Sequence, residues 1–230
     1  EHPWAISILG DSPWSGPGPA HRVPNLTLTR QRIFKQTATV VPSPSPKAEL
    51  RREALAARRD YARSLAVGLR AELEAKLADI VLPRLITAKI VAGYHPLKDE
   101  ISPYAILDRL GEGQRAVLPW FAGRDSRMMW REAPAVEPSP WGVLQPSAAA
   151  EALAPDTVLV PLVTADRRGT RIGHGKGHYD RALSHLREGG RIFTIGLAWE
   201  PQILDEAIDP DPWDVPLDAI ATPREWIDCR

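Results

Sequence analysis

The chain has 230 residues, of which 43% are hydrophobic and 25% charged, with lysine plus arginine balancing aspartate plus glutamate; this is ordinary for a globular protein with enough chain for one full core. No apolar run approaches the roughly 18 residues that a membrane span requires, and no charged-then-apolar signal peptide opens it. The lone cysteine, Cys229, excludes a disulfide framework and a cysteine-based metal site, so an exposed thiol in a cytoplasmic protein is expected.

Residues 1–46 are proline-rich, ending in Pro-Ser-Pro-Ser-Pro at 42–46, and show no sustained periodicity. They predict a disordered extension, dispensable for activity, although Trp4 and Trp14 suggest that a short part of it docks. The folded domain is assigned to residues 47–230. Ser45-Pro46 is a helix entry, because serine caps and proline at the first helical position forfeits no needed N–H. Leu65, Leu69, Leu73 and Leu77 recur every four residues, extended by Leu50 and Tyr61. They predict one or two amphipathic helices from Lys47 to about Val81, ended by Pro83.

Further along, strands are expected at 90–94, 116–120 and 158–163, with a short edge strand at 128–131. A helix is expected from Ser102 to Leu110, closed by Gly111 and Gly113, and a loop at 141–146. After the 158–163 strand come a glycine-rich loop, a helix at 180–186, a strand at 192–199, a short helix at 202–208 and a last strand at 219–222. Helices alternating with apolar strands argue for a three-layer α/β/α domain with a mostly parallel central sheet. Ligands of such sheets bind beyond the carboxyl ends of the strands, and residues 95–100, 165–179 and 199–202 all follow strands.

The loop carries the densest chemistry. Between Asp166 and Asp180, Gly173, Gly175 and Gly177 alternate among Arg167, Arg168, Arg171 and Lys176. Glycines let backbone N–H groups approach an anion, the cations add charge, and the helix that follows contributes its N-terminal dipole. The Gly-x-Gly-x-Gly spacing fits neither the P-loop nor the dinucleotide fingerprint, so spacing alone names no ligand. A flexible surface turn is the alternative; against it, four cations in one loop repel one another unless an anion is bound. Elsewhere cations dominate from Lys47 to Arg70, and acids dominate beyond Glu200. These are either ligand-binding regions or solvated faces.

In this order and spacing, Lys-x-x-Leu-Arg at 47–51, the acidic turn at Glu100, Gly-Val-Leu-Gln-Pro at 142–146, the stretch 166–180 and Trp213-Asp214 make the chain resemble the 5-formyltetrahydrofolate cyclo-ligase family, over about Lys47 to Ile227. The resemblance implies ATP- and Mg2+-dependent closure of 5-formyltetrahydrofolate to 5,10-methenyltetrahydrofolate through a phosphorylated formyl oxygen, with release of ADP and phosphate. It places Lys47 and Arg51, neighbours on one helix face, on the ATP phosphates. The nucleotide loop is then Arg171, Ile172, Gly173, His174, Gly175, Lys176, Gly177, His178 and Tyr179, with Arg171 and Lys176 catalytic and Lys176 following the transferring phosphoryl group. Asp180 and Asp214 are implied Mg2+ ligands, and His95, Glu100, Trp141 and Tyr179 are implied folate contacts.

Each assignment has a structural counterpart. Asp180 also suits a helix N-cap, Asp214 a solvated acid, Glu100 the N-terminus of the Ser102 helix, and Trp141 the core. Arg52, Arg58, Arg59 and Arg63 are assigned to a solvated helix face. His178 departs from the family, which often has an aromatic residue there, and no His-x-x-x-His pair sits on a helix face to suggest zinc. The competing classes are an ATP-dependent kinase or ligase for another small anion, and a non-enzymatic folate or nucleic-acid binder. The expected partners are 5-formyltetrahydrofolate and ATP, with no nucleic acid or membrane, and the expected state is a monomer.

Overall fold

The computed structural model describes residues 45–229. The expected disordered extension, with Trp4 and Trp14, lies up to residue 44 outside the described residues. Helix α1 (Pro46–Ser64) begins as the sequence dictates: the Ser45 hydroxyl accepts the Ala48 N–H at 3.3 Å and Pro46 opens the first turn. Leu65 then turns extended, and α2 (Val67–Val81) follows. The leucine stripe therefore crosses a break, leaving Leu69 44% exposed while Leu77 is fully buried. Pro83 stops α2 within a 3-10 turn, Leu82–Arg84.

The remaining elements are β1 (Ile90–Ala92), α3 (Tyr104–Leu107), β2 (Arg115–Trp120), β3 (Met129–Glu132), β4 (Ala135–Pro138), β5 (Leu144–Pro146), β6 (Thr157–Pro161), β7 (Thr164–Asp166), β8 (Arg171–Ile172), α4 (His178–Gly189), β9 (Phe193–Leu197), β10 (Ile203–Leu204), β11 (Ala219–Ala221) and β12 (Trp226–Asp228). Seven strands form one sheet in the order β12-β11-β9-β6-β1-β2-β3. Its five inner strands are parallel, and β12 and β3 run antiparallel at the edges. From β1 the chain winds outward to β2, then returns to β6 on the opposite side. The windings reverse between β1 and β6, where a crevice opens beyond the carboxyl ends of open parallel sheets.

Period-2 alternation sorts side chains into two cores. Val91, Leu118, Leu159 and Ile195 pack with Leu77 and Val81 of α2 and Ile106 of α3. Ala92, Val117, Val158, Val160 and Ile220 face the other way, onto Ala182 and Leu183 of α4. Helices thus cover both faces, which is the expected three-layer α/β/α arrangement.

Several local expectations are corrected. Residues 144–146 of the supposed loop pair with β4 as a hairpin. The 202–208 segment is not a helix: a 3-10 turn, Glu200–Gln202, leads into β10, which pairs with β7 in the small sheet β10-β7-β8. The helix expected to run to Leu110 ends at Leu107, and β11 is followed by one more strand. For the strands, a short apolar run is ambiguous in sequence and its pairing partner decides. The first part of the expected glycine loop is likewise the β7–β8 hairpin, turned at Gly169 with φ +88°, where a Cβ would lie 2.5 Å from the Leu217 carbonyl oxygen.

Tyr61 ties α1 to the turn after β9: its hydroxyl donates to Glu200 Oε2 at 2.9 Å and its ring lies 5.8 Å from that of Trp199. Burial, then Glu200, pushes the phenol pKa up to about 12. The folded state thus favours the neutral phenol; its contribution is complete below the unfolded pKa of about 10 and is lost as pH rises through the folded value. Tyr61→Phe is expected to cost about 1 kcal/mol at neutral pH. In urea unfolding the gap from the wild type closes as pH rises through about 12.

Candidate functional site

A cavity of about 1090 Å³ opens at the β1/β6 reversal, and all sixteen site residues named from the sequence line it. Helix α1 reaches it with Lys47 and Arg51, one turn apart, on a face that Arg58, at i+11, continues behind the cavity wall. Arg51 Nε donates to the Gly173 carbonyl at 2.8 Å. Its guanidinium lies over Gly175, whose φ of +83° requires glycine and whose Cβ would sit 3.5 Å from Arg51 Cζ. Lys47 Nζ bridges Asp211 and Asp214 at 2.7 and 2.8 Å. Burial opposes its charge, but the two carboxylates outweigh it and hold the ammonium above the ordinary lysine value. Burial likewise works against Asp214, and Lys47 with the Asp211 N–H holds that carboxyl below its usual range.

Arg171 is buried. It donates to Asp180 Oδ1 at 2.5 Å and to the Val215 carbonyl. Burial pushes its pKa down, and Asp180 and Asp214 oppose the shift. Asp180 sits in the first turn of α4 but does not cap it: Gly177, at φ +62°, is the N-cap. The mutual repulsion expected of the loop cations is relieved within the protein. Arg167 pairs with Asp205 and Glu225, Arg168 with Asp166, and Arg171 with Asp180. Among the described residues Lys176 has no ion pair, and it is exposed.

Glu100 is 5% exposed. Its Oε2 accepts the Leu97 N–H at 2.9 Å, and its Oε1 faces Arg58 Nη1 at 3.3 Å and His174 Nε2 at 3.2 Å. His95 contacts the Tyr104 hydroxyl through Nδ1 at 2.9 Å. Trp141 is not core: it is 39% exposed, with Arg124 over its ring and His178 at 5.6 Å. His178 also meets Phe121 at 5.1 Å, so the imidazole occupies an aromatic position. Burial, then Arg181 and Lys176, pushes its pKa down and favours the neutral ring. His95, His174 and His178 have separate partners. Among the described residues, no three His, Cys, Asp or Glu side chains gather to hold a metal.

The hydroxyl of Tyr179 is buried and has no protein partner among the described residues. Burial first, then Glu100, raises its pKa far above the ordinary phenol value, so it remains a donor.

The sequence reading missed two participants. Arg58, assigned to solvent, is 3% exposed and donates to Glu100 and to the Leu162 carbonyl at 3.1 Å. Its place on the face shared with Lys47 and Arg51 was the available signal. Asp211 shares Lys47 with Asp214, three residues away in the same acidic segment.

The model of the 5-formyltetrahydrofolate cyclo-ligase family matches residues 44–223. A 5-formyltetrahydrofolate cyclo-ligase of Mycolicibacterium smegmatis is 31% identical over 201 residues, 80% of this chain and 97% of the relative. Among solved structures, a 5,10-methenyltetrahydrofolate synthetase of Aquifex aeolicus superposes with a TM-score of 0.67 at 27% identity, covering 80% of this chain and 93% of that one. One from Mycoplasma pneumoniae gives 0.58 at 26%, covering 80% and 99%.

Arg171 is buried but its partner Asp180 is part-exposed, so losing this charged hydrogen bond costs about 1.5–3 kcal/mol. Arg171→Ala, which also orphans the Val215 carbonyl, is expected to lower the urea midpoint accordingly. A midpoint unchanged from the wild type would show that Arg171 does not hold α4 to the 211–215 segment.

Proposed function

The chain belongs to the 5-formyltetrahydrofolate cyclo-ligase family, and on that premise we propose that it uses ATP and Mg2+ to convert 5-formyltetrahydrofolate to 5,10-methenyltetrahydrofolate. The observation that supports this reading is one cavity lined by two unlike sets of groups: Lys47, Arg51, Lys176 and the glycines of the loop, together with Glu100, Trp141 and the Tyr179 hydroxyl, which has no partner among the described residues. Cations suit polyphosphate; a carboxylate beside aromatic rings suits the donor-rich edge and flat ring of a pterin. The two substrates must share a cavity, because the folate is itself the phosphoryl acceptor.

The formyl oxygen attacks the γ-phosphorus as its bond to ADP breaks, which leaves an iminium phosphate at N5. N10 of the same folate attacks the formyl carbon, gives up its proton, and the N5 lone pair expels phosphate to form the methenyl cation. Attack within one molecule draws most of its rate from orientation, so the protein's task is to position the reactants and stabilise charge. Arg51 fixes the loop through the Gly173 carbonyl. Lys176, without an ion pair among the described residues, follows the transferring group. Tyr179, protonated, donates and does not act as a base.

Among the described residues Asp180 Oδ2 and Asp214 Oδ1 carry no protein hydrogen bond, whereas their other oxygens hold Arg171 and Lys47. Two hard oxygens fit a Mg2+ whose remaining ligands are phosphates and water. Bound there, the ion would neutralise phosphate charge. We assign the extension of residues 1–46 no part in this chemistry and propose a monomer that works in the cytoplasm. Among the described residues no helix is long and apolar enough to cross a membrane.

The purified protein with Mg-ATP and 5-formyltetrahydrofolate is expected to produce the near-ultraviolet methenyl chromophore. ATP turnover on a different acid without that product would replace this reading. Lys176→Ala is expected to slow turnover at least about tenfold with an unchanged circular dichroism spectrum, and an unchanged rate would remove Lys176 from the mechanism.

A further inference from the structure

Arg58 is a buried guanidinium that the reaction above does not use. It does not line the cavity, so it cannot touch a substrate there. It stands directly behind Glu100, which does line the cavity, and its Nη1 reaches both Glu100 Oε1 at 3.3 Å and the Leu162 carbonyl, just past β6, at 3.1 Å. Its Nε is buried without a partner among the described residues. The contact is single-pronged and incompletely satisfied, which is poor design for stability, since an apolar residue of similar volume commonly does as well as a buried ion pair. What such a cation does supply is a fixed orientation for its neighbour.

We propose that Arg58 is a positioning residue of the folate subsite: it holds the Glu100 carboxylate from behind through Oε1, so that the group is oriented to accept from the ligand. The inference rests on Glu100 receiving the pterin. The 2-amino-4-oxopyrimidine edge of a pterin offers adjacent N–H donors. A neutral carboxylic acid would meet them with a donor of its own, whereas a carboxylate accepts both. Other groups around Glu100 do not replace Arg58. Arg70, from α2, donates to the Glu100 backbone carbonyl, and Glu74 beside it is negative. Tyr94 and Tyr179 are buried neutral phenols. His174, from the glycine loop, contacts the same Oε1 from a half-exposed position and is the group the ligand displaces.

Arg58→Met and Arg58→Gln, the second retaining a donor but no charge, are the test. Each is expected to raise KM for 5-formyltetrahydrofolate about tenfold at neutral pH, while kcat and the KM for ATP stay within about threefold of the wild type. Arg58→Lys is expected to recover most of the folate KM. A folded charge-neutral variant whose folate KM matches the wild type, while Glu100→Gln raises it, overturns the role of Arg58 and leaves the folate reading standing. If Glu100→Gln also leaves that KM unchanged, both fall. A kcat or KM for ATP that changes as much as the folate KM, or a raised folate KM shared by Arg58→Lys, reduces Arg58 to a structural residue.

Discussion

The docking of α1 beside the carboxyl end of β6 is the constraint on which the cavity depends, and three cationic side chains of that helix carry it on the cavity side. Arg58 joins the helix to Glu100 and to the carbonyl beyond β6, Arg51 joins it to the glycine loop, and Lys47 joins it to the 211–214 segment. Three parts of the chain far apart in sequence are thereby held around one space. At 3.3 Å and an effective dielectric of about 20, the Arg58–Glu100 attraction is about 5 kcal/mol. Desolvating each ion costs several kcal/mol, so the pair is close to neutral for stability. Its value lies in where it puts a charge.

That trade recurs around the cavity. Arg171 loses hydration by burial and recovers it through Asp180 and the Val215 carbonyl; Lys47 does the same through two aspartates. Every cation so engaged is immobilised. Lys176 is exposed and has no ion pair among the described residues; it sits on a loop whose positive-φ glycines, Gly175 and Gly177, remove side-chain bulk from the surface facing the cavity.

Much of the frame was legible from the chain alone. Ser45-Pro46 starts a helix because a hydroxyl and a missing N–H are local facts. The buried strands around Val91, Leu118, Leu159 and Ile195 are legible because alternation is local too. The β4–β5 hairpin and β10 were not, since a run of two to four residues becomes a strand only when another strand lies beside it. Arg58 was misread for a related reason: a helix displays its periodicity in sequence but not which face meets protein and which meets water.

By itself the sequence determined the residue types the site contains, the alternation that makes an α/β sheet, the glycines that permit a tight loop, and the ordered motifs that tie the chain to its family. Those properties are carried by single residues or near neighbours, where sterics and hydrogen bonding act within a few positions. Only the tertiary structure decided the partners: that Arg167 and Arg168 are neutralised away from the site, that Asp180 holds Arg171 and does not cap a helix, that Trp141 lies at the cavity and not in the core, and that Arg58 backs Glu100. Pairing of charges and burial of rings depend on distances between segments a hundred residues apart, and those distances exist only once the sheet has set the order of its strands.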